Sequence, residues 1–333
     1  MTTIAPRNIA LLIAKKEKND EFYTGYNDIE KELSHYWDDL QGTAVYNNCD
    51  NPYNSNFFKY LVINFNRIGL KRLVATSFAS RHGGETPYKA TVTFVPEQVA
   101  DQDPTAPLDV DKLLSYPGNE LVALAGDGSF LSDESLDVLE ESDVVITNPP
   151  FSKFRAFFSQ LVEYEKKFIV IGNMNASTTN SVFPQFKNKK VWYGKSGNRG
   201  NMEFQVPKDY PIRTKNFRND DEGNLYLNVN GIRWFTNVGD GPVRPFLELT
   251  AEYVGNEEYY PEYNKHKAIN VDRMKDIPKD YEGPMGVPIT FFDKWNHDQF
   301  DVLDAIGPAI GDREVYKRIV IQKVSDDDRP RVS

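Results

Sequence analysis

Apolar residues in the first half of the chain alternate between two patterns, one typical of buried strands and one typical of amphipathic helices. Short apolar runs, several rich in β-branched residues, predict strands at 43–47, 72–76, 143–147 and 168–172. Apolar residues in the segments between them recur every three or four positions, which predicts helices. This alternation predicts an α/β fold with a doubly wound, Rossmann-like sheet, in which ligands bind beyond the carboxyl ends of the strands.

Local signals predict where several of the helices begin and end. Asn27 is predicted to cap a helix that runs to about residue 40, and Gly69 to end the helix that follows the first strand. Ser132 is predicted to cap a helix through Glu141, and Ser152 to open the helix after the third strand. Alternation at 88–94 predicts an additional strand inside an insertion at about 77–119.

The periodicity weakens after about residue 186, where Asn, Gly and aromatic residues become more frequent. We therefore expect a regular domain over residues 1–186 and a smaller, irregular lobe over 187–324, which includes the strand end at 234–237. The charged residues 325–333 are predicted to form a flexible tail.

Composition narrows the class of protein. The chain has 333 residues and one cysteine, which argues against a disulfide framework and a Cys-rich zinc cluster. The four histidines are scattered, so no metal site is predicted. We find no apolar stretch long enough to span a membrane and no apolar secretory segment near Met1, so the expected compartment is the cytoplasm.

Positive charge is concentrated in one window of an otherwise acidic chain. The net charge is −10, yet residues 187–218 contain nine basic and only two acidic residues. Such a window predicts contact with a polyanion, although an ordinary solvated face has the same composition. The candidate phosphate-binding residues are Lys189, Lys190, Lys195, Arg199, Arg213, Lys215 and Arg218.

The motif Asn148-Pro149-Pro150-Phe151 follows directly after the predicted strand 143–147. Proline fixes φ and has no N–H, so the two prolines present carbonyl acceptors on a rigid backbone. Asn148 adds a side-chain oxygen, and Phe151 adds a ring on which a planar base can stack. This arrangement is typical of methyltransferases that act on planar amino groups. A Pro-rich turn that only ends a strand is the simpler interpretation.

Together these motifs resemble the EcoRI-type adenine-specific DNA methyltransferases, in the same order along nearly the whole chain. The matching segments are 20–24, 45–50, 55–60, 126–130, 147–152, 161–164, 172–176, 234–237, 268–271 and 285–291. The resemblance implies S-adenosylmethionine as the methyl donor and adenine N6 in double-stranded DNA as the acceptor. It also implies a role beside or against a restriction endonuclease. Residues 1–186 would then be the catalytic domain and 187–324 the DNA target-recognition lobe.

The resemblance also implies roles for individual residues. Asn148 and Pro149 would accept both N–H bonds of the adenine amino group, and Phe151, next to Pro150, would hold the flipped ring. The implied cofactor-binding residues are Phe22, Tyr23, Thr24, Asn47, Asp50, Asp127 and Phe130. The chain departs from the wider methyltransferase pattern because no Gly-x-Gly follows its first strand. Without the resemblance, Phe22 and Tyr23 are core aromatics and Asp127 is a turn residue.

Other functions and partners remain open at the level of sequence. Asn-Pro-Pro-aromatic also occurs in methyltransferases that act on RNA bases or on protein glutamine, and a non-catalytic DNA-binding relative is a third reading. We expect a monomer that binds double-stranded DNA and no membrane, with a possible cognate endonuclease acting separately.

Overall fold

The computed structural model describes residues 22–78, 86–100, 102–196, 201–208, 210 and 216–325. The chain divides into two compact units. The first consists of Met1–Asn173 and Gly194–Asp240, and the second of Met174–Tyr193 and Gly241–Ser333. Residues 194–240, assigned from sequence to the recognition lobe, are thus counted with the first unit. The functional division at residue 186 stays a prediction.

The described strands and helices are as follows, in chain order. The strands are β1 (Tyr23–Thr24), β2 (Ala44–Asn48), β3 (Arg72–Thr76), β4 (Tyr88–Val92), β5 (Glu120–Ala123), β6 (Val144–Thr147), β7 (Lys167–Asn173), β8 (Trp192–Tyr193), β9 (Asn201–Val206), β10 (Phe217–Asn219), β11 (Leu225–Asn230), β12 (Ile232–Thr236), β13 (Ile269–Asn270), β14 (Met285–Pro288), β15 (Phe300–Ile306), β16 (Ala309–Ile310), β17 (Arg313–Glu314) and β18 (Arg318–Lys323). The α-helices are α1 (Tyr26–Leu33), α2 (Trp37–Leu40), α3 (Asn56–Ile63), α4 (Phe65–Ile68), α5 (Glu97–Ala100), α6 (Val110–Leu114), α7 (Asp133–Glu140), α8 (Phe154–Glu163) and α9 (Phe183–Lys187). Short 3₁₀ helices cover Ser34–Tyr36, Phe151–Lys153, Met174–Thr178, Glu257–Tyr259, Met274–Asp276 and Ile289–Asp293.

A large mixed sheet forms the centre of the first unit. Its strands in that unit lie in the order β5-β4-β3-β2-β6-β7-β12. Strands β3, β2, β6 and β7 are parallel, whereas β4, β5 and β12 run antiparallel to their neighbours. A second, antiparallel sheet has the order β1-β9-β11-β10. The second unit contains the sheet β13-β14-β18-β15 and the small ribbon of β16 and β17.

The parallel strands match the sequence prediction closely. The four predicted runs correspond to β2, β3, β6 and β7 within one residue at each end, and the inserted strand is β4. Their apolar side chains are buried because both faces of the sheet are covered; Val45, Leu73, Ile146 and Ile169 are among the fully buried residues. The prediction that the chain combines helices and strands in an α/β fold is therefore confirmed, and the large sheet is mixed. The 234–237 segment ends β12, which pairs with β7 in the large sheet.

Two predicted caps are confirmed and one is wrong. Gly69 ends α4 with φ +74°, and the Ser132 side chain accepts a hydrogen bond from the backbone N–H of Ser135. Asn27 is not the N-cap of α1, because the helix begins at Tyr26 and its N-cap position is Gly25. Ser152 lies inside the 3₁₀ turn Phe151–Lys153, so the α-helix itself begins at Phe154.

Candidate active site at the ends of strands β2 and β6

The carboxyl ends of β2 and β6 lie side by side. The two strands are parallel, with Tyr46 opposite Val145. The side-chain nitrogen Nδ2 of Asn47 donates a hydrogen bond to the backbone carbonyl of Ile146 at 2.5 Å, and this bond connects the carboxyl ends of the two strands. The turn at 49–55 and the motif at 148–151 therefore leave the sheet at the same edge, where parallel sheets bind ligands.

The side chain of Asn148 has a defined orientation. Its amide nitrogen donates to the backbone carbonyl of Phe22 at 2.8 Å. Because a carbonyl can only accept, the nitrogen must face Phe22 and the amide oxygen must face away. That oxygen, Oδ1, is buried and has no hydrogen-bond partner within the described part of the chain. Asn148 thus presents an oriented acceptor that lacks a donor.

An aromatic cluster brings the predicted N-terminal cofactor segment to the motif. The Phe22 ring packs edge-on against Phe151 at 5.3 Å and against Phe204 at 5.5 Å, and Phe151 is 5.8 Å from Phe204. The chain after Phe22 continues into β1, which pairs with β9. Phe22 is buried, as the core interpretation expects, while Phe151 and Tyr23 are half-buried. Together with the hydrogen bond from Asn148, 126 positions away, these ring contacts hold Phe22 against the motif.

Asp50 is bound on both sides by hydroxyl groups of the protein. Ser55 Oγ donates to Oδ1 at 2.7 Å, and the Thr147 hydroxyl lies 2.5 Å from Oδ2 and also donates to the Asn48 carbonyl. Burial raises the pKa of Asp50 to about 7, although both hydroxyls act to lower it. Both oxygens of this predicted cofactor residue are engaged within the protein.

Further polar atoms near this edge are buried and unpaired. Among the residues that the structure describes, Thr24 Oγ1, Asn47 Oδ1 and Asn48 Nδ2 have no hydrogen-bond partner. Native proteins pair the large majority of their buried polar atoms, so unpaired atoms at the end of β2 and on β1 favour a site for a polar ligand. Asn48 lies in the matching segment 45–50, but the implied cofactor-binding residues in that segment were Asn47 and Asp50.

The turn at 126–130 reaches the end of β3. Gly128 has φ +70°, and a Cβ at that position would lie 2.0 Å from the Ser77 carbonyl oxygen, so only glycine fits. Asp127 is exposed, and its Oδ1 accepts a hydrogen bond from the backbone N–H of Ser129 at 2.8 Å. Asp127 therefore forms an Asx turn, as the simpler interpretation expects, at the same edge of the sheet.

Phe130, the second predicted adenine-binding residue, lies in the core. It is buried, and its ring is 5.2 Å from that of Phe157 on α8. Gln160 on the same helix donates to the Phe130 carbonyl at 3.0 Å. The Phe130 side chain thus anchors the turn to α8.

The predicted DNA-binding residues are distributed over both units. Lys189 and Lys190 are exposed in the second unit. In the first unit, Lys195 Nζ lies 4.9 Å from the centre of the Tyr36 ring, and Arg218 makes two hydrogen bonds to Glu203, at 2.6 and 3.2 Å. The predicted residues Arg199, Arg213 and Lys215 lie outside the described residues.

The described residues show neither a metal-binding cluster nor a membrane-spanning helix. No three His, Cys, Asp or Glu residues there come together in a group that could hold a metal ion. None of the helices in that part of the chain is long and apolar enough to cross a membrane.

Comparison with known proteins identifies the family. The family described as "Adenine-specific methyltransferase EcoRI" matches residues 10–330. Type II methyltransferase M.EcoRI of Escherichia coli is 42% identical over 315 residues, which is 93% of this chain and 94% of that protein. Type II methyltransferase M.MpnI of Mycoplasma pneumoniae is 37% identical over 298 residues, 88% and 84% of the two chains. Type II methyltransferase M.MgeORF184P of Mycoplasma genitalium is 34% identical over 320 residues, 95% and 92%.

No solved structure matches the chain. The family match covers almost every residue, and three relatives share over 30% of their residues with it. The expected resemblance is confirmed, and the chain belongs to the EcoRI family of adenine-specific methyltransferases.

Proposed function

We propose that this protein transfers a methyl group from S-adenosylmethionine to N6 of an adenine that is flipped out of double-stranded DNA at a specific site. The proposed biological role is in restriction-modification or anti-restriction. The observation that carries the proposal is the buried, unpaired Asn148 Oδ1 at the carboxyl end of β6. The parallel strands β3, β2, β6 and β7 support a doubly wound, Rossmann-like methyltransferase core.

The target amine is a poor nucleophile because its lone pair is delocalised into the adenine ring. Asn148 Oδ1 and the Pro149 carbonyl would accept its two N–H bonds and favour a pyramidal nitrogen. They would also stabilise the positive charge that develops on this nitrogen, as preorganised acceptors do. Because the amine is otherwise engaged in a base pair, the adenine must leave the stack, and Phe151 would hold its ring.

The unpaired atoms near this edge fit the amino-acid end of S-adenosylmethionine. Thr24 Oγ1 and Asn47 Oδ1 can accept hydrogen bonds from an ammonium group, whereas Asn48 Nδ2 can donate to a carboxylate. When bound, the cofactor supplies an electrophilic methyl group on a sulfonium. Phe22 and Tyr23 would pack beside it, and Asp127 and Phe130 would flank its adenine. Asp50 would hold the turn at 49–55 in place through its hydrogen bonds with Ser55 and Thr147.

The basic window would bind DNA phosphates, with specificity from side chains of the recognition lobe. Of its seven candidate phosphate-binding residues, four are described and three are not. Arg218 would have to exchange Glu203 for a phosphate, since its guanidinium is already in an ion pair.

The central test is Asn148→Ala under single-turnover conditions with radiolabelled cofactor. Loss of one acceptor should lower methyl transfer to duplex DNA by about 100-fold or more, with cofactor affinity unchanged. Near-normal transfer would refute the role of Asn148. Parallel reactions with RNA and with glutamine peptides separate the other substrate classes, and no incorporation into any substrate would favour a non-catalytic relative.

The cofactor site is tested separately by calorimetric titration. Asp127→Ala should weaken S-adenosylmethionine binding, whereas the exposed Asp133→Ala, at the start of α7, should not. Equal affinities in the two variants would remove Asp127 from the proposed site.

A further inference from the structure

We propose that Thr147 is a positioning residue for Asn148, and that it acts through the Asp50 carboxyl in its protonated form. The inference rests on the proposed function of Asn148. Thr147 was not a candidate from sequence, where it reads only as the last β-branched residue of a strand.

Thr147 joins the end of β6 to the turn after β2. Its hydroxyl contacts both the Asn48 carbonyl and Asp50 Oδ2, which is 97 positions away in the chain. Asp50 in turn binds Ser55, which is the N-cap of α3. The residue immediately before Asn148 is therefore tied to the two segments that define the neighbouring edge of the site.

The hydrogen atoms that Ser55 and Thr147 can donate indicate that the Asp50 carboxyl carries a proton. Ser55 Oγ already accepts from the N–H groups of Phe57 and Phe58, so its single hydrogen goes to Asp50 Oδ1. Thr147 also has a single hydrogen but touches two oxygens. If that hydrogen goes to the Asn48 carbonyl, the contact with Asp50 Oδ2 needs a second hydrogen, which only a protonated carboxyl supplies. The ionised carboxylate would leave two oxygens in contact without a hydrogen between them.

The surroundings of Asp50 favour this neutral state. The residue is only 9% exposed, and burial raises its pKa to about 7. The hydrogen bonds with Ser55 and Thr147 act to lower this pKa, but burial outweighs them. The titratable group next to Asp50 in the chain is the Cys49 thiol; burial and the charge of Asp50 raise the pKa of this thiol, and the Lys153 ammonium lowers it.

Ionisation of Asp50 would redirect the Thr147 hydrogen from Asn48 to the carboxylate. The tie between β2 and β6 would then loosen directly beside Asn148. Misplacement of a reacting group by about 1 Å can cost about 100-fold in rate without a new contact to substrate. The expected effect therefore falls on the rate constant of methyl transfer and leaves binding of DNA and cofactor intact.

The first experiment compares Thr147→Val, which removes the hydroxyl and keeps the shape, with Thr147→Ser, which keeps the hydroxyl. Thr147→Val should lower the single-turnover rate by about 10- to 100-fold, with dissociation constants for DNA and S-adenosylmethionine within about twofold of wild type. Thr147→Ser should restore most of the rate. Equal rates in Thr147→Val and wild type, while Asn148→Ala is inactive, would overturn this inference and leave the proposed function standing. An active Asn148→Ala would instead remove the proposed role of Asn148, on which this inference rests, and would overturn the inference with it.

The second experiment uses the pH profile and does not depend on whether Thr147→Val folds. In Asp50→Asn, the amide oxygen can accept from Ser55 and the amide nitrogen can donate to Thr147 at every pH. The wild-type single-turnover rate should decline as the pH rises from about 7 to 9, whereas the Asp50→Asn profile, scaled to its own maximum, should lack that decline. The same alkaline decline in both proteins would overturn the role of the Asp50 proton.

Discussion

Glu32 offers the sharpest test of how the first unit is held together. This side chain on α1 is fully buried, and its carboxylate accepts three hydrogen bonds. The donors are the Tyr36 hydroxyl at 2.7 Å and the backbone N–H groups of Lys195 and Ser196, both at 2.8 Å. Gly194 leaves room for it, since a Cβ there would lie 2.0 Å from Glu32 Oε1. Glu32 therefore holds the backbone of residues 195 and 196, which lie inside the basic window.

Replacing Glu32 by Ala would leave these three donors without their acceptor. Each buried donor without a partner costs about 1 to 3 kcal/mol, and removing one side of a buried charged network costs about 3 to 5 kcal/mol in total. Burial raises the pKa of the Tyr36 hydroxyl, so it stays a neutral donor across the working pH range. We expect Glu32→Ala to lower the free energy of unfolding by about 3 to 5 kcal/mol.

The assay is urea unfolding followed by circular dichroism at neutral pH. The matched control is Glu30→Ala, because Glu30 is an exposed glutamate on the same helix and should change stability by less than about 0.5 kcal/mol. Glu32→Gln keeps one acceptor oxygen and should fall between the two. If Glu32→Ala and Glu30→Ala unfold at the same urea concentration, the buried carboxylate does not hold residues 195 and 196.

Three further predictions concern glycine, charge and pH. Gly128→Ala should lower the free energy of unfolding in urea by at least about 2 kcal/mol more than Gly223→Ala. Both glycines have positive φ, but only at Gly128 would an added Cβ clash with the Ser77 carbonyl, so equal losses would refute the close packing. Glu203→Gln should release Arg218, tighten duplex binding and steepen its salt dependence by about one unit in log–log slope, whereas an unchanged slope would exclude a phosphate contact. For Asp50, the native pKa of about 7 lies above the usual 3.8, so its contribution to stability is fully present below about pH 4 and is lost as the pH rises to 7. Wild type should therefore lose about 1.4 kcal/mol per pH unit relative to Asp50→Asn over that interval, and parallel pH curves would contradict the raised pKa.

The elements that sequence predicted well are those whose signals are local. A continuous apolar run such as β6 buries the side chains on both of its faces only when the sheet is covered on both sides. The run by itself therefore predicts a buried parallel strand. Ser132 and Gly69 act on their own helix ends through one hydrogen bond or one backbone angle. The same reasoning failed at Asn27, because contacts with distant residues, and not a local cap, determine where α1 begins. β1 pairs with β9, and the Asn56 amide nitrogen donates to the Thr24 carbonyl at 2.8 Å.

The candidate site likewise contains some features that local sequence signals predicted and others that depend on distant residues. The Asn-Pro-Pro-Phe motif could be recognised from sequence because consecutive residues carry its acceptors and its ring. The partners that orient it could not, since Phe22 is 126 positions from Asn148 and Asp50 is 97 positions from Thr147. Neither separation produces a periodic pattern in the sequence. A threonine at the end of a strand also looks the same in the sequence whether or not its hydroxyl binds a distant residue. Sequence therefore identified the groups predicted to touch the substrate, while the contacts that orient them become visible only once β2 and β6 lie side by side.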